Sequence, residues 1–208
     1  MQRFGQRVVV SVRWHVAGLF GIQQVRERFL RGLQKGAVCA EIGVFRGQFS
    51  EKILSVTKPR ELHLIDVWWE LYGEHYPDWG AYTDHGELPT RQAYEDTLSV
   101  VQRCAGKAVV KVHVGDDCEI LETFPDGYFD WVYLDSSHQY EDTLRELEIL
   151  SRKVKPDGVI SGDDWKDDPV DPNHGASVAI QEFCAARHWH VDARDTFFQW
   201  RISRDVGS

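Results

Sequence analysis

Glu41-Ile42-Gly43-Val44-Phe45-Arg46-Gly47 follows the apolar run Ala37-Val38-Cys39-Ala40 and precedes a helix-like segment, Gln48 to Val56. An acidic residue at the end of a buried strand, then two glycines four apart, describes a turn that cradles a nucleotide. Glycine lets the backbone approach a ligand that any Cβ would exclude, and the following helix offers its free N–H groups. Corners of this kind also occur as plain tight turns. The next strand, Glu61-Leu62-His63-Leu64-Ile65-Asp66, strengthens the nucleotide reading, because Asp66 falls 23 residues after Gly43. Acids that hold ribose hydroxyls sit at that distance in doubly wound sites.

Working outward, short apolar runs alternate with amphipathic segments. The pattern predicts strands over 38–44, 61–67, 109–114, 129–135, 157–162, 189–193 and 197–203, and helices over 48–57, 88–104, 117–123, 140–154 and 175–187. Such alternation implies an α/β fold, a Rossmann-like, doubly wound and mainly parallel seven-stranded sheet with helices on both faces. In 140–154, Leu144, Leu147, Leu150 and Val154 share one face, and Arg145, Glu146, Glu148 and Arg152 fall mostly elsewhere. Pro156-Asp157-Gly158 then breaks the helix. Only Arg194, Asp195 and Thr196 separate the last two strands. No crossover fits in so short a link, so the sheet ends in an antiparallel hairpin.

The chain has 208 residues, enough for one domain, and 42% of them are hydrophobic. Its organisation reads as an N-terminal helical extension over 1–36 and a main domain over 37–208. The extension would cover the cofactor or another subunit, so a homo-oligomer is one reading of it. The long irregular segment 68–87 carries Trp68, Trp69, Tyr72, Tyr76, Trp79 and Tyr82. Loops of that length act as lids or binding loops; a self-packed loop or a dimer contact is the alternative. A net charge of −9 disfavours a nucleic-acid partner. No run is long enough to cross a membrane, and Arg13 and His15 interrupt the first apolar stretch too early for a secretion signal. Cys39, Cys104, Cys118 and Cys184 form no CxxC pair, so they read as reduced residues of a cytoplasmic protein.

A second constellation is acidic. The strand Phe129 to Leu134 ends at Asp135, with Ser136, Ser137 and His138 behind it, and the strand ending at Ser161 leads into Gly162-Asp163-Asp164-Trp165. Neighbouring strands lie ~4.8 Å apart, so Asp135, Asp163 and Asp164 would project into one small space. Carboxylates so close take up a proton or recruit a cation, and a hard divalent ion with oxygen ligands suits them. Alternatively, Asp163 or Asp164 caps the following turn. His138 suits a general base near neutral pH; it could equally orient an acid or start the helix. Gly115 and Asp116 end the third strand, where an Asp can accept from an adenine amine, with Asp117 as N-cap of the next helix.

With these residues in place, residues 36–204 resemble a class I S-adenosylmethionine-dependent methyltransferase. Glu41-x-Gly43-x-x-x-Gly47 is similar to the family's first motif, Asp66 to its ribose-binding acid, and Gly115-Asp116 to its adenine loop. The terminal hairpin is the tail expected of that family. More narrowly, Leu134 to Glu141 with Gly162 to Trp165 resembles a bacterial branch that includes macrocin-type sugar O-methyltransferases and cephalosporin hydroxylase-like proteins. The resemblance implies S-adenosylmethionine as cofactor, a small-molecule acceptor methylated on a hydroxyl, and magnesium on Asp135, Asp163 and Asp164. One departure is plain. Macrocin-type enzymes carry a second Asp two residues after the first, and here Ser137 stands there with His138 next. The base and the acceptor stay open at this point. A nicotinamide-dependent oxidoreductase is disfavoured because Phe45 and Arg46 fill the middle of the glycine turn, and five acids at 41, 66, 135, 163 and 164 argue against a non-catalytic binding protein.

Overall fold

A computed structural model describes residues 25–195 and 197–205. Residues 25–30 form the short helix α1; residues 1–24 of the expected extension lie outside the described residues. Then come β1 (Val38–Ile42), α2 (Gln48–Val56), β2 (Glu61–Asp66), α3 (Trp69–Tyr72), α4 (Thr90–Arg103), β3 (Val109–Val114), α5 (Asp117–Glu122), β4 (Phe129–Leu134), α6 (Tyr140–Lys153), β5 (Val154–Gly162), α7 (His174–Arg187), β6 (Trp189–Arg194) and β7 (Trp200–Arg204). One seven-stranded sheet runs in the order β3-β2-β1-β4-β5-β7-β6. Strands β1 to β5 are parallel, and β7 runs antiparallel to both β5 and β6. The expected doubly wound fold and terminal hairpin are both present, and β7 is the single reversed strand.

Both faces of the sheet are covered. On one face Leu121, Leu147, Leu150, Ile180 and Phe183 from α5, α6 and α7 pack with Val132, Ile160 and Trp200. On the other, Leu30, Phe49, Ile53, Ala93 and Val100 from α1, α2 and α4 pack with Leu62, Leu64, Trp131 and Tyr133. The central strands β1 and β4 are buried along their whole length, as strands covered on both sides must be. All four cysteines are free and buried.

Three expectations change. The Pro156-Asp157-Gly158 break lies inside β5. Phe129 pairs with Val154 and Trp131 with Val159, so the ladder absorbs the extra residues as an irregularity rather than ending. Segment 68–87 is not structureless, since it holds α3 and a 3-10 stretch, Gly80–Gly86, and its base is closed by a bridge between His75 and Pro89. Finally Glu146, assigned by periodicity to the polar side of α6, is 1% exposed.

Register decides what the sheet presents. Each of four backbone bonds carries the ladder one residue past a strand end: Gly115 N to Asp66 O, Gly43 N to Ile65 O, Asp135 N to Ile42 O, and Asp163 N to Leu134 O. Gly115, Asp66, Gly43, Asp135 and Asp163 therefore stand in one row along the carboxyl edge. Ligands of open α/β sheets bind at this edge.

Candidate active site

Asp66 is the centre of the first half of the row. Its Oδ2 accepts from the N–H groups of Val44 and Phe45 at 2.8 and 2.7 Å, and its Oδ1 from Trp68 N–H at 3.1 Å. Burial pushes its carboxyl above the ordinary range, and those N–H groups pull it back. The acid thus braces the glycine turn. A carboxylate has about four lone-pair positions, so Asp66 keeps capacity for hydroxyl donors.

The two glycines are required by the chain itself. Gly43 has φ +82°, and a Cβ there would collide with the Asp135 carbonyl group. Gly47 (φ +75°) would put a Cβ 3.1 Å from Thr97 Cα on α4. The sequence reading attributed both to ligand approach; the atoms in the way belong to the β4 end and to α4. Glu41 is buried and accepts from Ser50 Oγ on α2 at 2.5 Å. Burial lifts its carboxyl to about 8, against the pull of Ser50, so it is mostly a neutral acid at pH 7.

Asp116, not Asp117, is the N-cap of α5, and its Oδ1 accepts from Glu119 N–H at 2.9 Å. Asp117 instead accepts from Cys118 N–H. The cap falls one residue early because α5 itself begins at Asp117.

The aromatic segment lies over the glycine turn. Trp68 is fully buried and its Nε1–H donates to Phe45 O at 2.9 Å. Tyr82 stacks on Phe45 at 4.3 Å between ring centroids, and Tyr76 meets the same ring edge-on at 5.1 Å. Asp135 and Asp66 both act on Tyr82, whose phenol is also raised by burial. The segment therefore packs on itself and also covers the edge.

The second half of the row is built from side chains distant in sequence. Leu134 pairs with Gly162, so β4 and β5 end together as expected. His138 Nε2 lies 3.1 Å from Asp164 and 3.6 Å from Asp135. Both His138 (φ 59°) and Asp164 (φ 58°) are in the left-handed region, which costs non-glycine residues about 1 kcal/mol or more. Lys166 Nζ lies 3.3 Å from Asp164. Asp163 pairs with Arg26 of α1, whose guanidinium also stands 3.6 Å from Asp135 and over the Phe49 ring. Among the described residues, Asp135, His138 and Asp164 can offer ligand atoms within 4.8 Å of one another. Asp163 is not in that set because its carboxylate is turned to Arg26. Arg26 is the residue that sequence reasoning missed. Nothing local to it signals a site more than a hundred positions away.

A family model described as a methyltransferase domain matches residues 40–165. No curated protein matches the chain by sequence. Among solved structures, the O-methyltransferase TomG from Streptomyces achromogenes, in complex with SAM, is 18% identical over 86% of this chain and 76% of its own, with TM-score 0.58. Cofactor-bound Rv0187 from MTB is 16% identical over 97% of both chains, with TM-score 0.63. A precorrin-6y C5,15-methyltransferase from Geobacter metallireducens is 14% identical over 88% of both chains, with TM-score 0.59. At such identities the likeness is one of fold. No helix among the described residues is long and apolar enough to cross a membrane.

Proposed function

The chain belongs to the class I S-adenosylmethionine-dependent methyltransferases, and from that premise we propose that it methylates a hydroxyl group of a small molecule. When bound, S-adenosylmethionine supplies an electrophilic methyl group. The donor set fits this cofactor. Asp66 keeps lone pairs for ribose hydroxyls, and the buried hydroxyls of Tyr76 and Tyr133 have no partner among the described residues. Gly43, Gly47 and Glu41 would form the floor, and Gly115 and Asp116 the adenine side. Phe45, with Tyr82 stacked on it, would lie beside the cofactor over the turn.

The observation that carries the hydroxyl acceptor is the convergence of Asp135, His138 and Asp164 beside Gly43. His138 Nε2 faces Asp164 and Asp135, so a proton it takes from the acceptor would lie between two carboxylates. That is the arrangement a general base needs, and the left-handed backbone at 138 and 164 holds it in place. A small acceptor agrees with the net charge of −9, and TomG, of the same fold, is described as an O-methyltransferase.

The same three donors also support a divalent ion, with Asp135 and Asp164 as its carboxylate ligands. The ion would polarise the acceptor oxygen. Magnesium prefers oxygen donors throughout; an imidazole in the set shifts the preference toward manganese, iron or zinc. Asp163 would join the set only by leaving Arg26.

The test is S-adenosylhomocysteine release over a panel of hydroxylated acceptors, with and without chelator. His138→Gln is expected to lower kcat by about 10² to 10⁴ and to leave S-adenosylhomocysteine affinity unchanged. Unchanged kcat in His138→Gln would remove the base from this reading. Full activity after chelation would remove the ion.

A further inference from the structure

Glu146 is a buried acid that the chemistry above does not use. It sits on α6 behind the carboxyl edge at 1% exposure. Its Oε1 accepts from Ser136 Oγ at 2.5 Å. Among the described residues no donor faces its buried Oε2, and its hydrogen-bonding neighbour on α5 is the carboxyl group of Asp117. Two carboxyl groups share a hydrogen bond only when one of them carries the proton. Burial, with Asp117 and Asp142 adding negative charge, pushes Glu146 well above the ordinary range, and Ser136 pulls it down. A proton on Glu146 Oε2, donated to Asp117, would account for the orphaned oxygen.

The two partners are not equivalent. Ser136 follows Asp135, at the start of the loop that carries the acid centre. Asp117 follows Asp116, in the loop that ends β3 and would face the adenine. We propose that Glu146 is a positioning residue. As a neutral acid it clamps the β3–α5 loop to the β4–α6 loop, so that cofactor binding depends on one proton held behind the site. This rests on the methyltransferase reading of the edge. The other groups facing it are Cys118 from α5 and Asp142 and Arg145 from α6 itself. Where α7 meets α6, the polar groups pair elsewhere, Tyr140 with Glu182 and Glu148 with Arg187.

Loss of the proton would set two carboxylates against each other and part the loops. Glu146→Gln keeps the shape, donates from its amide to Asp117, accepts from Ser136, and cannot ionise. Calorimetric titration with S-adenosylhomocysteine from pH 6 to 9.5 separates the cases. Wild type is expected to lose affinity on the alkaline side by up to ~10-fold per pH unit. Glu146→Gln should bind as wild type does at pH 6 and keep that affinity throughout, and Glu146→Ala should bind weakly at every pH. The wild-type minus Glu146→Gln infrared difference spectrum should hold a protonated-carboxyl band, beyond the one that Glu41 contributes to both. Identical pH profiles for wild type and Glu146→Gln overturn the proposal, as does a Gln variant as weak as the Ala variant. If wild type binds no S-adenosylhomocysteine at any pH, the cofactor reading of the edge falls and the clamp falls with it. The infrared band separates that outcome from a failure of the clamp alone. If Glu146→Ala does not fold, the comparison of wild type with Glu146→Gln still decides.

Discussion

In the half of the edge formed by β1, β2 and β3, Asp66 receives N–H groups from Val44, Phe45 and Trp68. In the half formed by β4 and β5, Asp135, Asp163 and Asp164 meet Arg26, His138 and Lys166. The first half neutralises its acid with backbone dipoles, which cannot leave. The second does so with the side-chain cations Arg26 and Lys166, each of which has rotamers and can be replaced by another cation or by a proton. A binding site for a fixed ligand suits the former, and a site where charge must change suits the latter. The repulsion among the three acids, taken alone, called for a metal ion. Arg26 and Lys166 already offset part of it, so the fold does not require an ion there.

The joint between the halves is the first place to break the comparison. Gly43→Ala drives a methyl group into the Asp135 carbonyl at a backbone φ of +82°. The cost is expected to reach about 4 kcal/mol, from strain and overpacking together. Chemical denaturation measures it, and near-wild-type stability would mean that the two strand ends are not in register as described.

A control lies away from the edge, on the same strand as Asp66. His63 is buried on β2, with Nε2 3.0 Å from Glu61 Oε1 and Nδ1 2.9 Å from His113 Nε2. The carboxylate can only accept, so Nε2 carries the proton and Nδ1 accepts from His113. Burial and His113 push His63 down to about 4, and Glu61 opposes the shift. The folded pKa is thus below the unfolded one. The stability involved is fully present above pH 6.5 and is lost as pH falls toward 4. A loss of about 2 kcal/mol is expected across that window. Thermal melts of His63→Gln should show a flatter acid limb. An unchanged limb would place the acid sensitivity elsewhere, with the carboxyl edge the next place to look.

The smallest expected effect sharpens the difference between the halves. Arg26→Gln removes a cation that, among the described residues, comes from outside the β4 and β5 loops. Mn²⁺ followed by electron paramagnetic resonance should then bind about tenfold more tightly, roughly 1.4 kcal/mol, with S-adenosylhomocysteine affinity unchanged. Equal Mn²⁺ affinity would show that Arg26 does not compete for the centre, and a fall in cofactor affinity would show that the halves are not separable.

Most of the fold was legible from the chain because its signals are local. Alternating apolar runs located β1 to β6 to within a few residues, and the short link between the last two runs required the hairpin; in the structure β6 ends at Arg194 and β7 begins at Trp200. Strand-end acids marked the edge, since a strand that is buried throughout must finish before a carboxylate can reach water. What failed also has a physical cause. A helical period sorts residues by angle around one helix and says nothing of what the neighbouring element brings, so Glu146 was placed outside. Spacing cannot tell a glycine that admits a ligand from one that admits another strand, so Gly43 was read as a cradle and not as the point where β1 meets the β4 end.

By itself, then, the sequence determined the order of elements, the hairpin and the row of glycines and acids, because propensity, periodicity and turn chemistry act over a few residues. Only the tertiary structure decided how the carboxylates are neutralised. Arg26 is 109 positions before Asp135 and 137 before Asp163. Electrostatic attraction acts through space, and chain separation carries no record of which charge will arrive.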